Sequence, residues 1–427
     1  MRSKVFSSGS AVLPIFLAAL FLLSTTAIAQ QYKVLHDFTC EGEDGCEPNG
    51  GLVFDAAGNL YGTTRSGGAY NHGTVFVLSR KTSGGWSGKV LHSFNDDGTD
   101  GYVPYAGVIV DSAHNLYGTT SSGGAYSEGT IFELSPNKAG GWSEKILFNF
   151  GSSGTEGSTP EGGLVADASG NLYGTTLFGG RIWGTAFELS PSKNGSWTWT
   201  LMVAFNDGVP DGIYPYDGLT IDTAGNLYGT TYYGGDYDGC SRENAGFYCG
   251  TVFELSPSAG GIWTEAVLYS FGGFSTDGYY PQAGVVFDAK GNLFGTTPYG
   301  GDVASCQYQD SAGCGTAFEL LPTDGTWTEN ILHNFGLSIH DGTLPSSGLI
   351  IDKSGNLYGT TLMTGVQAAD GYGTVFELSP KADGEWSEKI LHNFATGKSG
   401  GNPAGNLTMD SAGNLYGAAG VVFEIIP

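Results

Sequence analysis

The chain has 427 residues, 42 Asp and Glu against 17 Lys and Arg, a formal net charge of −25 and a pI near 4.4. An acid excess of this size, with no basic patch to offset it, excludes nucleic acid and anionic membrane surfaces as partners. Neutral ligands, cations and other proteins remain open.

The first element is an export signal. Arg2 and Lys4 form a short basic region, Ala11 to Leu23 is apolar, and Ala27-Ile28-Ala29 precedes Gln30. This predicts a secretory signal peptide over residues 1–29 and a mature chain that starts at Gln30. The apolar run is short for a membrane span, and no later segment is long and apolar enough to be one. Secretion to an extracellular or periplasmic space is expected, with no membrane span after cleavage.

The rest is organised by one stretch, Asp55-Ala56-Ala57-Gly58-Asn59-Leu60-Tyr61-Gly62-Thr63-Thr64. It returns at Asp111, Asp167, Asp222, Asp288, Asp352 and Asp410, at spacings of 56, 56, 55, 66, 64 and 58 residues. A fixed period of this size means stacked supersecondary units. Asp at the first and Gly at the fourth position of the motif spell a type I turn, so turn structure explains all seven Asp residues. His114 replaces the Gly in the second copy and is a residue that tolerates a positive φ.

Each copy reads as four short strands. In the first they are Gly51 to Phe54, Asn59 to Thr63, Gly73 to Ser79 and Trp86 to Phe94. The strands are apolar on both faces, as in a sheet sandwiched between neighbours, and Gly and aromatic punctuation of four-strand units is the propeller cue. The seventh copy stops after its third strand, at Pro427, while Tyr32 to Phe38 matches the fourth strand of the other copies. The expected architecture is all-β: a single seven-bladed β-propeller over 30–427, with four-stranded blades and the last blade closed by the N-terminal strand. Closure removes the free edges of an open array.

The six cysteines fall in three close pairs: Cys40 with Cys46, Cys240 with Cys249 and Cys306 with Cys314. Local disulfides are expected in an oxidising compartment. The last two pairs lie in insertions. The loop between strands two and three spans 8 residues in copy one, but 18 in copy four and 17 in copy five.

From the Asp turn through Gly-Thr-Val-Phe-Glu-Leu-Ser-Pro (from Gly250 and Gly373) to Trp and Leu-His-x-Phe, the repeat resembles the Gloeo/Verruco (GloVer) tandem repeat of exported bacterial proteins. The resemblance covers nearly all of the mature chain. It implies export and a propeller-like repeat, and carries no activity with it. Members often end in an anchoring segment; this chain ends at Pro427 inside the last copy, so surface anchoring is not expected.

Two sets of side chains bear on function. An acid-Gly-x-x-Pro loop before six of the seven copies supplies Asp44, Asp100, Glu156, Asp211, Asp277 and Asp341, while the last copy has Ser399-Gly400. Gathered around one mouth these acids would suit calcium, a cation or sugar hydroxyls, although an Asp-Gly turn accounts for each alone. His36, His92, His333 and His392 share one column with Phe148, Ala204 and Tyr269, which reads as packing. The second set is aromatic. Tyr232, Tyr233, Asp236, Tyr237, Asp238, Tyr248, Tyr299 and Tyr308 lie in the two long loops, near Asp211 and Asp277. Rigid aromatics beside carboxylates suit a sugar or peptide. The sequence therefore predicts a monomeric, non-catalytic binding module for a glycan or extracellular protein, sited over blades four and five. No cofactor is expected, with calcium an ion that the acids would suit. The rival is a carbohydrate-active hydrolase or lyase that uses acids on the same face.

Overall fold

The computed structural model describes residues 30–179, 183–206, 211–236, 249–272, 276–302, 306, 313–338, 341–364, 371–395 and 400–427. The expected signal peptide lies outside them. Every regular element among these residues is a strand, and none is a helix that could cross a membrane. Seven four-stranded antiparallel sheets form the ring, six of them built from strands of a single repeat. Blade one is Val53–Phe54, Leu60–Thr64, Thr74–Arg80 and Trp86–Ser93, from the axis outward.

The repeat motif is explained by its own geometry. Asp55 Oδ1 accepts hydrogen bonds from the Ala57 and Asn59 amides, and Oδ2 accepts from the Asn59 side chain and the Tyr61 hydroxyl. His114 holds the turn of copy two with φ +65°. Leu60 is fully buried between blades. Gly62 is required because a Cβ there would lie 2.7 Å from both Leu52 and the Phe76 ring. Of the two threonines, Thr63 donates to the Ala106 carbonyl of the next blade at 2.8 Å, and Thr64 bonds Thr74 within its own blade at 2.8 Å. Trp142 of blade two stands edge-on to Tyr61 of blade one at 6.3 Å, a contact repeated as Trp197 on Tyr117 and Trp263 on Tyr173.

The ring closes as the split repeat requires. Blade seven consists of Thr408–Met409, Leu415–Ala418, Val421–Ile426 and, as its outer strand, Gln31–Asp37. The closing ladder runs from Gln31 opposite Ile426 to Asp37 opposite Val421. Tyr32 stacks on His392 of blade six at 3.8 Å, and Phe38 reaches Phe76 of blade one at 5.1 Å.

The Cys40–Cys46 and Cys306–Cys314 disulfides are formed. Cys249 is disulfide-bonded too, but Cys240 lies outside the described residues. One alignment needs correction. Strand pairing puts Val203 opposite Ala186, as His92 stands opposite Val75, so Val203 and not Ala204 shares the histidine column. A bulge beside that position, between Ala186 and Phe187, obscures the count.

Candidate functional site

The acid-Gly loop and the loop between strands two and three share one face, as Gly45–Cys46 pairs with Ser66–Gly67. The acids do not ring a mouth. Each sits at a blade boundary, under the outer strands. Asp100 accepts from the Asn95 amide at 3.0 Å and meets His92 Nε2 of blade one at 3.2 Å, with Glu144 of blade two beside them. Asp341 likewise meets His333 of blade five at 3.5 Å, with Glu388 of blade six alongside. Nor is the glycine after the acid there for a turn. A Cβ on Gly101 would lie 2.0 Å from the Thr120 hydroxyl, so the close approach of loop to blade selects it.

The histidine column is therefore polar where the acid faces it. Burial opposes charge on the His92 ring, but the Asp100 hydrogen bond and the Glu144 and Asp100 charges outweigh it and raise its pKa. At the blade three–four boundary Asp211 faces Glu265, and at four–five Asp277 faces Glu329, which the Tyr269 hydroxyl joins at 2.9 Å. Burial and the neighbouring carboxylate push both glutamates well above the usual range. Glu156 breaks the pattern. It accepts from Ser152 and Ser153, while Phe148 stacks on Trp199 at 5.6 Å. The six acids thus do not form one calcium ring. Two boundaries, however, bring a histidine and two carboxylates together.

The mouth itself is lined by the residue after each loop proline: Asn49, Tyr105, Glu161, Tyr216, Gln282, Ser346 and Ala404. They surround an axial cavity of about 560 Å³. Below them Asp217 and Asn406 stand in columns otherwise filled by small residues. Asp217 accepts from the Gly218 and Gly284 amides at 2.7 and 2.9 Å and from the Asn406 side chain. Burial still pushes its carboxyl above the ordinary range. At the rim the Arg65 guanidinium lies 4.5 Å over the Tyr105 ring. Burial raises the Glu161 carboxyl, and the Arg65 charge offsets part of that rise.

A tyrosine wall adjoins this mouth. Tyr216 meets Tyr232 at 5.0 Å, and Tyr232 stacks on Tyr280 at 4.7 Å. Tyr233 contacts Tyr232, Tyr280 and Tyr214, and Tyr280 continues to Tyr299 at 5.7 Å. Phe178 and Trp183 extend it over blade three through Tyr214. All six tyrosines are half-buried and keep part of their rings in solvent. Of the sequence-predicted set, Tyr232, Tyr233 and Tyr299 belong to this wall. Asp211 and Asp277 do not; they face Glu265 and Glu329. Asp236 is exposed, its amide bonded to Ser270. Tyr237, Asp238, Tyr248 and Tyr308 lie outside the described residues.

The model of the Gloeobacter/Verrucomicrobia repeat matches residues 18–242, 140–308 and 239–422, three overlapping stretches that take in nearly every blade. The chain belongs to that repeat family. No curated protein matches the sequence. Among solved structures, a family PL25 polysaccharide lyase, an ulvan lyase bound to -[GlcA(1-4)Rha3S]-, is similar at a TM-score of 0.56 and 10% identity, over 92% of this chain and 95% of that one. The extracellular domain of a protein assigned to the hybrid two-component systems of B. thetaiotaomicron is similar at 0.50 and 12% identity, over 91% of this chain and 40% of that one. At these identities the likeness is one of fold.

Sequence reasoning missed the axial residues. Reading the columns after each proline would have found them. Asp217 stands where the other repeats have Gly50, Ala106, Gly162, Ala283, Ser347 and Gly405, and Asn406 stands in a column of glycines.

Proposed function

We propose that this repeat-family protein is exported and acts as a glycan-binding module, with sugar rings stacked on the tyrosine wall of blades four and five and one end of the glycan in the axial mouth. The observation that carries this reading is the continuity of six half-exposed tyrosines with the axial cavity through Tyr216 and Tyr232. Aromatic faces supply stacking area at little entropic cost, while Gln282, Asn49 and Glu161 offer the directional hydrogen bonds a sugar needs. An uncharged glycan suits a strongly acidic protein whose mouth holds Glu161 beside Arg65. The glycan bound by the structurally similar lyase supports the substrate class only through a shared fold.

Arg65 beside Tyr105 favours a second reading, a lyase that would hold a uronate carboxylate on the arginine while an ionised tyrosine takes the C5 proton, the C4–C5 double bond forms and the sugar oxygen on C4 leaves. Against it, burial raises the Tyr105 hydroxyl despite Arg65, so the phenol stays protonated at neutral pH. Glycoside hydrolysis needs two free carboxyl groups. Asp217 is committed to two amides and Asn406, which leaves Glu161 without a free carboxyl partner among the described residues of the mouth. A glycan array on residues 30–427, followed by incubation of each hit with the protein, separates the readings. Retained, uncleaved glycan is expected; release of unsaturated or shortened products would favour the enzyme.

A further inference from the structure

We propose that the blade one–two and blade five–six boundaries are two equivalent zinc-class metal sites, built from His92, Asp100 and Glu144 and from His333, Asp341 and Glu388. In each, one ligand comes from an outer strand, one from the following loop and one from the outer strand of the next blade, so a bound ion would clamp neighbouring blades together.

The geometry supports this directly. In a tetrahedral site with bonds of about 2.0–2.2 Å, ligand atoms stand about 3.3–3.6 Å apart. His92 Nε2 lies 3.2 Å from Asp100 Oδ2 and 3.5 Å from Glu144 Oε2. His333 Nε2 lies 3.5 Å from Asp341 Oδ1 and 3.7 Å from Glu388 Oε2. Within each trio all three ligand atoms fall within 4.8 Å of one another. One imidazole and two carboxylates leave a fourth position for water, and His92 and Glu144 keep 20% and 16% of their side chains exposed as a way in. The charge also fits, since two carboxylates balance one dication.

A second observation is independent of those distances. Asp100 is only 5% exposed, yet its Oδ1, the oxygen other than the one that meets His92, accepts no N–H or O–H; Glu144 Oε1 and Glu388 Oε1 are likewise buried and unmatched, as are Glu265 Oε1 and Glu329 Oε1 at the boundaries that lack a histidine. Buried carboxylate oxygens without a donor are costly. A shared proton can relieve the contact between the two carboxylates, and a dication relieves it more fully. An imidazole ligand selects zinc-class ions over calcium, which takes oxygen ligands.

The other boundaries show what incompleteness looks like. Gly88 stands where a glutamate would complete His36 and Asp44, and Val203 stands where a histidine would complete Asp211 and Glu265. At Asp277 and Glu329 the column holds Tyr269, whose hydroxyl bonds both acids. Among the described residues the complete trios number two, which sets the stoichiometry.

The test is a count. Residues 30–427, stripped with a chelator, are titrated with zinc chloride by calorimetry, and bound zinc is measured after desalting. Two equivalents are expected, one in each of His92→Gln and His333→Gln, and none in the double variant. Cobalt substitution should give the visible bands of a tetrahedral ion, lost in the same variants. A second pair, Glu144→Gln with Glu388→Gln, removes a ligand and a like charge from each site together. It should bind no zinc while the metal-free protein melts no lower than the parent, which separates lost ligation from misfolding. Absence of bound zinc in the parent overturns the proposal, as does a stoichiometry that either double variant leaves unchanged.

Discussion

Ring closure by the N-terminal strand makes a quantitative prediction at Phe38. Its ring is only 7% exposed, packs edge-on at 5.1 Å against Phe76 and belongs to the cluster that joins blades seven and one. Truncation to alanine removes that burial and leaves a cavity, at about 3–5 kcal/mol for a phenylalanine. At about 2 °C per kcal/mol, the low end appropriate to a large domain, the melting temperature should fall by about 6–10 °C. Val34 lies on the closing strand that Phe38 follows but is 40% exposed, so Val34→Ala should cost no more than about 0.5 kcal/mol. Deleting residues 31–38 goes further, because it bares the edge of Val421–Ile426, and self-association should then appear in gel filtration. Calorimetry on the three variants decides the matter. If Phe38→Ala melts within about 1 °C of the parent, as a surface change would, the strand does not close the ring.

Three more outcomes follow from particular contacts. Peptide mapping without reduction should link Cys40 to Cys46 and Cys306 to Cys314, and replacing the latter pair by serine should cost about 2–3 kcal/mol for so short a loop. Asp352 accepts four hydrogen bonds in its turn, from the Ser354 and Asn356 amides, the Asn356 side chain and Tyr358, so Asp352→Ala should lower stability by about 1–3 kcal/mol in urea unfolding. Burial and a facing aspartate push Glu265 up to about 8 and Glu329 to about 9. Both titrate near about 4.3 in the unfolded chain, so their contribution to stability is whole below that pH and is lost as pH rises through 8 to 9. Melting temperature should therefore fall from pH 5 to pH 9, and Glu329→Gln should flatten that fall and add at least about 1.4 kcal/mol at the alkaline end. A profile unchanged by Glu329→Gln would remove the carboxylate pair as its cause.

The ring was legible because closure leaves a trace in chain order: a repeat cut after its third strand and completed by Tyr32 to Phe38. The Asp turn was legible because all its bonds lie within seven residues. The boundary acids were misplaced for the opposite reason. Asp100 has one partner eight residues back and another 44 residues on, in the next blade, and no single repeat contains both. The histidine column reads as packing because Phe148 and Tyr269 share it; only the structure shows that Phe148 faces Trp199 across its boundary, whereas His92, His333 and Tyr269 each face a glutamate. The axial mouth is hard to read from the sequence because its residues directly follow each loop proline and lie outside the long insertions, in a part of the repeat of constant length. There a single carboxylate among glycines and alanines is the signal.

The central claim is that sugar binds on the tyrosine wall. It is tested most directly by calorimetric titration of the strongest glycan-array hit into the parent and into Tyr233→Ala combined with Tyr299→Ala. Two stacking contacts at about 0.5–1.5 kcal/mol each predict about a 5- to 150-fold loss of affinity, with the melting temperature lowered by no more than a few degrees. Unchanged affinity in that folded double variant would contradict the account and take the binding site away from blades four and five.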